Sequence, residues 1–192
     1  MTVNNSNEQK TTRHGAETKS TTMTFRIYED LISRLRREAE NDGKSLNILV
    51  NQILRRYIEW DSYEAKVGLI PIAKPVLVQL FENISEDKII EIAVNVGRNA
   101  VKEITLFMKH QMNIESFLQW FETRMKTSSV EVSHQRLEHN NNIHSYIIKH
   151  DLGKNWSIYH KTIFESILQD VLGKPLKNVS VSPTMLRFEF EE

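Results

Sequence analysis

Polar and apolar residues alternate over Thr22-Met23-Thr24-Phe25-Arg26-Ile27, a period of two that predicts a short β-strand. Thr22, Thr24 and Arg26 then share one face, and Met23, Phe25 and Ile27 the other. Beyond Tyr28 the period lengthens to that of a helix, twice. Leu31, Ile32, Leu35 and Ala39 stripe a first helix over about 28–41, whose outer face carries Arg34, Arg36, Arg37, Glu38 and Glu40. Leu46, Leu49, Val50, Ile53, Leu54, Tyr57 and Ile58 stripe a second. Gly43 supplies a left-handed residue between them, and Ser45 is placed to cap the second helix. A strand this short leaves its backbone groups unpaired and its apolar face uncovered. The same strand of a second copy is the cheapest partner, so the pattern predicts an antiparallel homodimer. Its outer face would offer hydroxyls and a guanidinium of the kind that meet base edges in a DNA major groove.

The rest of the chain predicts helices first and a sheet later. A short helix is expected over 74–83, then a long one from Ser85 that buries Ile89, Ile92, Ala93, Val96, Ala100, Val101, Ile104 and Phe107. Asn113 should cap a third, containing Phe117, Leu118, Trp120 and Phe121. Residues 130–137 and 143–150 form a hairpin across Asn140-Asn141-Asn142, whose side chains tolerate turn conformations. A helix from Asn155 turns Trp156, Tyr159, Ile163, Phe164, Ile167, Leu168 and Val171 inward and ends at Gly173 and Pro175. Strands over 177–182 and 185–190 follow, with Leu186, Phe188 and Phe190 on one face. The fold class expected is α+β, with an N-terminal strand and helical hairpin, then helices and a ββαββ antiparallel sheet. The domains expected are a tail at 1–21, disordered by composition, a module at 22–64, a stiff connector at 65–75 with Gly68, Pro71 and Pro75, and an α+β domain at 76–192 that senses a ligand or oligomerises. Lys10, Arg13, His14 and Lys19 in the tail could touch a phosphate backbone.

On the strand alternation, the Gly43-Lys44-Ser45-Leu46-Asn47 break and the spacing between them, residues 22–60 resemble the ribbon-helix-helix repressors of the Arc and MetJ class. The likeness covers about a fifth of the chain. It implies that Thr22, Thr24 and Arg26 read bases, that Lys44, Ser45 and Asn47 clamp phosphate at the start of the second helix, and that Met23, Phe25 and Ile27 lie in a shared dimer core. The family's usual Pro or Ser opening the first helix is Tyr28 here, a departure that touches capping. As topology alone, the C-terminal order is similar to small ligand-binding α+β domains of the 4-vinyl-reductase and haem-nitric-oxide-binding group. No residue is carried over from that likeness.

Composition narrows the function classes. The formal net charge is zero over 192 residues, so a DNA-binding face must be made locally and doubled by dimerisation. Residues 1–60 hold ten Lys and Arg against eight Asp and Glu, the sign expected. There is no cysteine, which excludes disulfides and sulfur-ligated metal. No apolar run predicts a membrane span, and the start lacks the blocks of a signal peptide; a soluble, cytoplasmic protein is expected. Six of the seven histidines lie in the C-terminal part. A hairpin turning symmetrically at Asn141 would bring His134 and His150 together diagonally on one face, a weak metal candidate without the ligand spacing of a zinc site. There is no glycine-rich phosphate loop and no nucleophile motif, so neither an enzyme nor a cofactor is expected. The function expected is a homodimeric, sequence-specific transcription regulator, a repressor by preference, whose partners are double-stranded DNA, a second copy, higher oligomers on DNA and a small apolar ligand. The alternative is an antitoxin or a DNA-partition protein with a protein-binding C-terminal domain. The roughly 120 residues after the module, enough for an independent core, favour the regulator.

Overall fold

The computed structural model describes residues 20–128, 130–137 and 142–192. It divides into two compact units, with the boundary between Leu49 and Val50. Residues 1–19 of the tail expected at 1–21, with Lys10, Arg13, His14 and Lys19, and the hairpin tip at Asn140-Asn141 lie outside the described residues.

In the first unit, residues 20–28 form neither helix nor strand in the single chain. Helix α1 spans Glu29–Asn41, with Tyr28 in the N-cap place making no side-chain cap. Glu29 and Asp30 in its first turn offset the positive end of the helix dipole instead. It closes as the sequence predicts: Gly43 has φ +63°, the Gly43 N–H donates to Glu40 O at 3.0 Å, and the Lys44 N–H donates to Ala39 O at 2.8 Å. These two bonds make a Schellman closure, which satisfies orphan carbonyls of the last turn. Helix α2, Leu46–Arg56, starts at once, and the Ile48 N–H donates to Ser45 Oγ at 3.2 Å. Ser45 is therefore the N-cap.

The second unit takes up α2 and continues through a π-turn, Tyr57–Asp61, into the short α3, Ser62–Glu64. Trp60 is buried in the main hydrophobic cluster, with Tyr63, Val67 and Leu69 packed against it. Its Nε1–H donates to Glu64 Oε1 at 2.7 Å. Part of the stretch that reads as module end and connector thus belongs to the larger core. Helices α4 (Lys74–Glu82) and α5 (Glu86–Val96) follow, and α5 passes through a second π-turn, Gly97–Val101, into α6 (Lys102–Lys109). That π-turn corrects one expectation. A regular stripe would bury Ala100 and Phe107, yet both are exposed; Val101, Thr105 and Met108 are buried. One extra residue in the turn rotates the inward face by one position. Gly97 marks the spot, because a Cβ there would stand 3.4 Å from Ser166 Cβ of the neighbouring long helix.

Helix α7 (Ile114–Thr127) begins at Asn113, whose Oδ1 accepts from the Ser116 N–H at 2.8 Å. Strands β1 (Glu131–Leu137) and β2 (Ile143–Lys149) make the hairpin, and α8 (Lys154–Leu172) crosses to β3 (Lys177–Val181) and β4 (Met185–Glu191). The sheet is antiparallel in the order β1-β2-β4-β3, so the expected ββαββ arrangement is present. Alternate residues Tyr146, Ile148, Leu186, Phe188 and Phe190 are buried and share a core with Phe117, Phe121, Phe164 and Trp156 of the two helices. Phe164 meets Phe188 at 4.5 Å and Phe121 at 4.7 Å between ring centroids. Asn155 lies one residue inside α8 rather than before it. Its amide donates to Phe81 O and Ile84 O, both at 2.8 Å, which ties the start of α8 to the end of α4.

Candidate functional site

Two regions carry chemistry, one in each unit. In the first, Thr22, Thr24 and Arg26 are exposed on the segment before α1. Met23, Phe25 and Ile27 are 71%, 57% and 42% exposed. Such a row of large apolar side chains open to water is costly, roughly 1.5–3 kcal/mol for each one left unburied. Lys44 pairs with Asp42 at 3.1 Å, while the Ser45 hydroxyl is engaged in the cap. Ser45 and Asn47 are exposed at the α2 N-terminus, where backbone N–H groups favour an anion. Farther along α2 and its π-turn, Ile53, Leu54, Tyr57 and Ile58 are exposed as well.

In the second unit the structure separates the two histidines that the sequence paired. Ladder register places His134 opposite Tyr146, so the turn is centred one residue earlier than symmetry about Asn141 requires, and His150 falls beyond the ladder. His134 meets His144 instead, Nε2 to Nδ1 at 2.9 Å. Its Nδ1 lies 2.9 Å from Glu122 Oε1, which also accepts the Tyr146 hydroxyl at 2.8 Å. At the other end His144 Nε2 is 3.4 Å from Glu192 Oε2, and Arg136 Nη2 donates to that oxygen at 2.5 Å. The Glu122 carboxyl is held below its usual range, first by the His134 hydrogen bond and then, against desolvation, by Tyr146. Burial lowers the His144 pKa and raises that of Tyr146. This chain lines a cavity of about 240 Å³ between α7 and the β1–β2 edge.

His150 has both ring nitrogens engaged. Its Nδ1 accepts from the Leu152 N–H at 3.1 Å, so Nε2 carries the proton and donates to Ser157 Oγ at 2.7 Å. Ser157 passes its own hydrogen to Ser182 O at 2.9 Å. A histidine satisfied in this way has no lone pair for a metal. Among the described residues, no group of three or more His, Asp or Glu is placed to hold one.

A second cavity, about 120 Å³, lies where α4, α7, β2 and α8 meet. Arg124 lines it with His150, Trp156 and His160. The Arg124 guanidinium carbon stands 5.6 Å from the Trp120 ring centroid, and desolvation lowers its pKa. Among the described residues no carboxylate pairs with it. His160 is buried and donates Nδ1–H to Trp156 O at 3.1 Å; burial, and then the Arg124 charge, push its pKa down to about 3.

The chain matches no family model, no curated protein and no solved structure. Its site residues are therefore weighed on geometry and chemistry alone. Among the described residues no helix is long and apolar enough to cross a membrane.

Sequence reasoning missed Arg124 and the Glu122–His134–His144–Glu192 chain. Arg124 belongs to a mixed helix face and looks like any solvated cation in sequence. Only the packing of α8 beside it makes it half-buried. The histidine chain joins four elements, and its one legible signal was the clustering of histidines around the hairpin.

Proposed function

We propose that this chain is a homodimeric, sequence-specific DNA-binding regulator of transcription, a repressor, in which residues 22–27 of two copies pair as an antiparallel ribbon in the major groove. The observation that carries the reading is the uncovered apolar row Met23, Phe25 and Ile27, interleaved with exposed Thr22, Thr24 and Arg26. A second copy would bury the first set and double the second. The closed turn at Gly43 and the Ser45 cap support it, because they present the α2 N-terminus as a fixed anion site for the DNA backbone. Lys44 would exchange its Asp42 partner for phosphate, and Asn47 would add a second polar contact. Exposed Ile53, Leu54, Tyr57 and Ile58 give the partner further apolar surface. In this reading the C-terminal domain senses a small ligand and passes its occupancy to the DNA-binding half.

The experiment is sedimentation of the full chain combined with selection from random duplexes. A dimer that enriches a two-fold symmetric motif is the expected result. A stable monomer, or binding without sequence preference, would sink the reading.

A further inference from the structure

A guanidinium that lines a largely apolar cavity ordinarily has a carboxylate beside it, because even partial desolvation of the charge must be offset. Arg124 departs from this. It is half-buried, lies over the Trp120 ring and shares a small void of about 10 Å³ with Trp120, Tyr159 and His160. His160 is kept neutral, so it supplies no negative charge. Neither carboxylate that shares a cavity with it is ion-paired to it: Asp151 at the mouth pairs with Lys74, and Glu64 accepts the Trp60 indole N–H. The Trp120 indole N–H is likewise buried with no hydrogen-bond partner.

The walls of the adjoining cavity are of a different kind. Leu77, Met125, Val130 and Leu152 line it together with the Trp156 ring. A volume of about 120 Å³ approaches that of engineered apolar cavities that admit benzene. One uncompensated positive charge on an apolar chamber of this size selects a particular chemistry. The fork of a guanidinium matches the two oxygens of a carboxylate, and the walls match a compact hydrocarbon body.

We infer that the cavity bounded by α4, α7 and α8 is a binding site for a small organic monocarboxylate, its carboxylate on Arg124 and its apolar body against Leu77, Val130 and Trp156. The proposal rests on the reading of the C-terminal domain as a ligand sensor and names the class of ligand. It replaces the apolar ligand that composition alone suggests with an anionic one. The neutral histidines at the cavity wall fit this assignment, because a charged imidazole beside Arg124 would be repelled in the empty site. Lys74 and Asp151 cancel one another at the mouth, so the chamber carries a single net positive charge, suited to a monoanion.

The test uses the full-length protein with two probes of the same shape, sodium benzoate and neutral benzamide, followed by calorimetry and tryptophan fluorescence. Benzoate is expected to bind about tenfold or more tighter than benzamide and to change the emission of Trp120 and Trp156. Arg124→Gln should abolish that preference. Arg124→Lys, which keeps the charge and loses the fork, should recover part of it. The benzoate-to-benzamide comparison in the unmodified protein decides the matter even if the variants fold poorly. Equal affinity for both probes, or no binding of either at millimolar concentration, overturns the proposal. Operator affinity measured with and without benzoate separates the two readings. Binding at Arg124 that leaves operator affinity unchanged keeps the site and removes the sensor role, whereas a neutral compound that shifts operator affinity through this cavity removes the carboxylate assignment and keeps the sensor.

Discussion

His134 Nε2 lies 2.9 Å from His144 Nδ1, with the two rings nearly parallel at 16°. Glu122 anchors the pair at His134, and Glu192, itself paired with Arg136, lies at the His144 end. Because Glu122 accepts the His134 Nδ1–H, a neutral His134 offers only its Nε2 lone pair to His144. His144 then spends its single hydrogen on that bond. Its own Nε2 is left facing Glu192 without a proton between them, which accounts for the longer 3.4 Å contact.

Glu122 is accordingly the anchor of the chain, taking two donors on one oxygen. Replacing it by Gln should cost about 1.5–3 kcal/mol, the range for hydrogen bonds to a charged group. The sign of the pH dependence follows from its lowered pKa. The stabilisation is present above the carboxyl's unfolded value and is lost as pH falls through the folded one. Urea titrations of the unmodified and Glu122→Gln proteins should converge at acid pH. Parallel curves down to the acid limit would show that the carboxylate carries no such role.

Buried neutral histidines set a second acid limb. His144, His150 and His160 all have lowered pKa values, chiefly through burial, and His160 falls to about 3. The unfolded chain therefore binds more protons than the folded one below pH ~6.5, and stability drops as pH falls from there. Each such histidine contributes a slope of up to about 1.4 kcal/mol per pH unit until its folded pKa is reached. His160→Gln should flatten the slope between pH ~6 and ~4 by about one proton. Thermal unfolding across that range measures it, and an unchanged slope would rule out His160 as a titrating group.

Dimer formation through the N-terminal segment predicts a strong effect at Phe25. Phe25→Asp would place a charge in the shared apolar core at a cost of several kcal/mol. The variant should sediment as a monomer at concentrations where the unmodified chain is dimeric. Its C-terminal domain should keep its near-ultraviolet circular dichroism. A dimer that survives this substitution would locate the interface elsewhere.

Readout and affinity should separate in the proposed DNA complex. Arg26→Ala should cost about 1–3 kcal/mol and relax preference at one position of each half-site. Lys44→Ala should weaken binding evenly across sequences and reduce its salt dependence. Repeating the selection with each variant distinguishes these outcomes. An unaltered motif at unaltered affinity for Arg26→Ala would end the assignment of Arg26 to base contact.

Local signals carried much of the fold. Gly43, Ser45, Asn113 and Gly173 mark helix ends because each acts through its own backbone geometry or a bond to a residue a few positions away. The period of two in β4 predicted its buried face, Leu186, Phe188 and Phe190, for the same reason: it belongs to the strand itself. Three features depended on partners far along the chain and were decided by tertiary structure. The π-turn at Gly97 rotates a helix face to fit α8, so Ala100 and Phe107, inside on a regular 3.6-residue stripe, are outside. A change of two residues in the β1–β2 register, Tyr146 rather than Ile148 opposite His134, gives His134 to His144 rather than to His150, because the hairpin's centre is set by its ladder and not by the symmetry of its asparagines. Arg124 is an ordinary helical cation in sequence; the packing of Trp120, Tyr159 and His160 around it leaves its charge without a counter-ion. Sequence by itself determined most helix ends and the buried face of β4, because those are short-range backbone and burial effects. Which charged and aromatic groups meet was decided only when distant elements packed, since the energies of those groups depend on what excludes water from them.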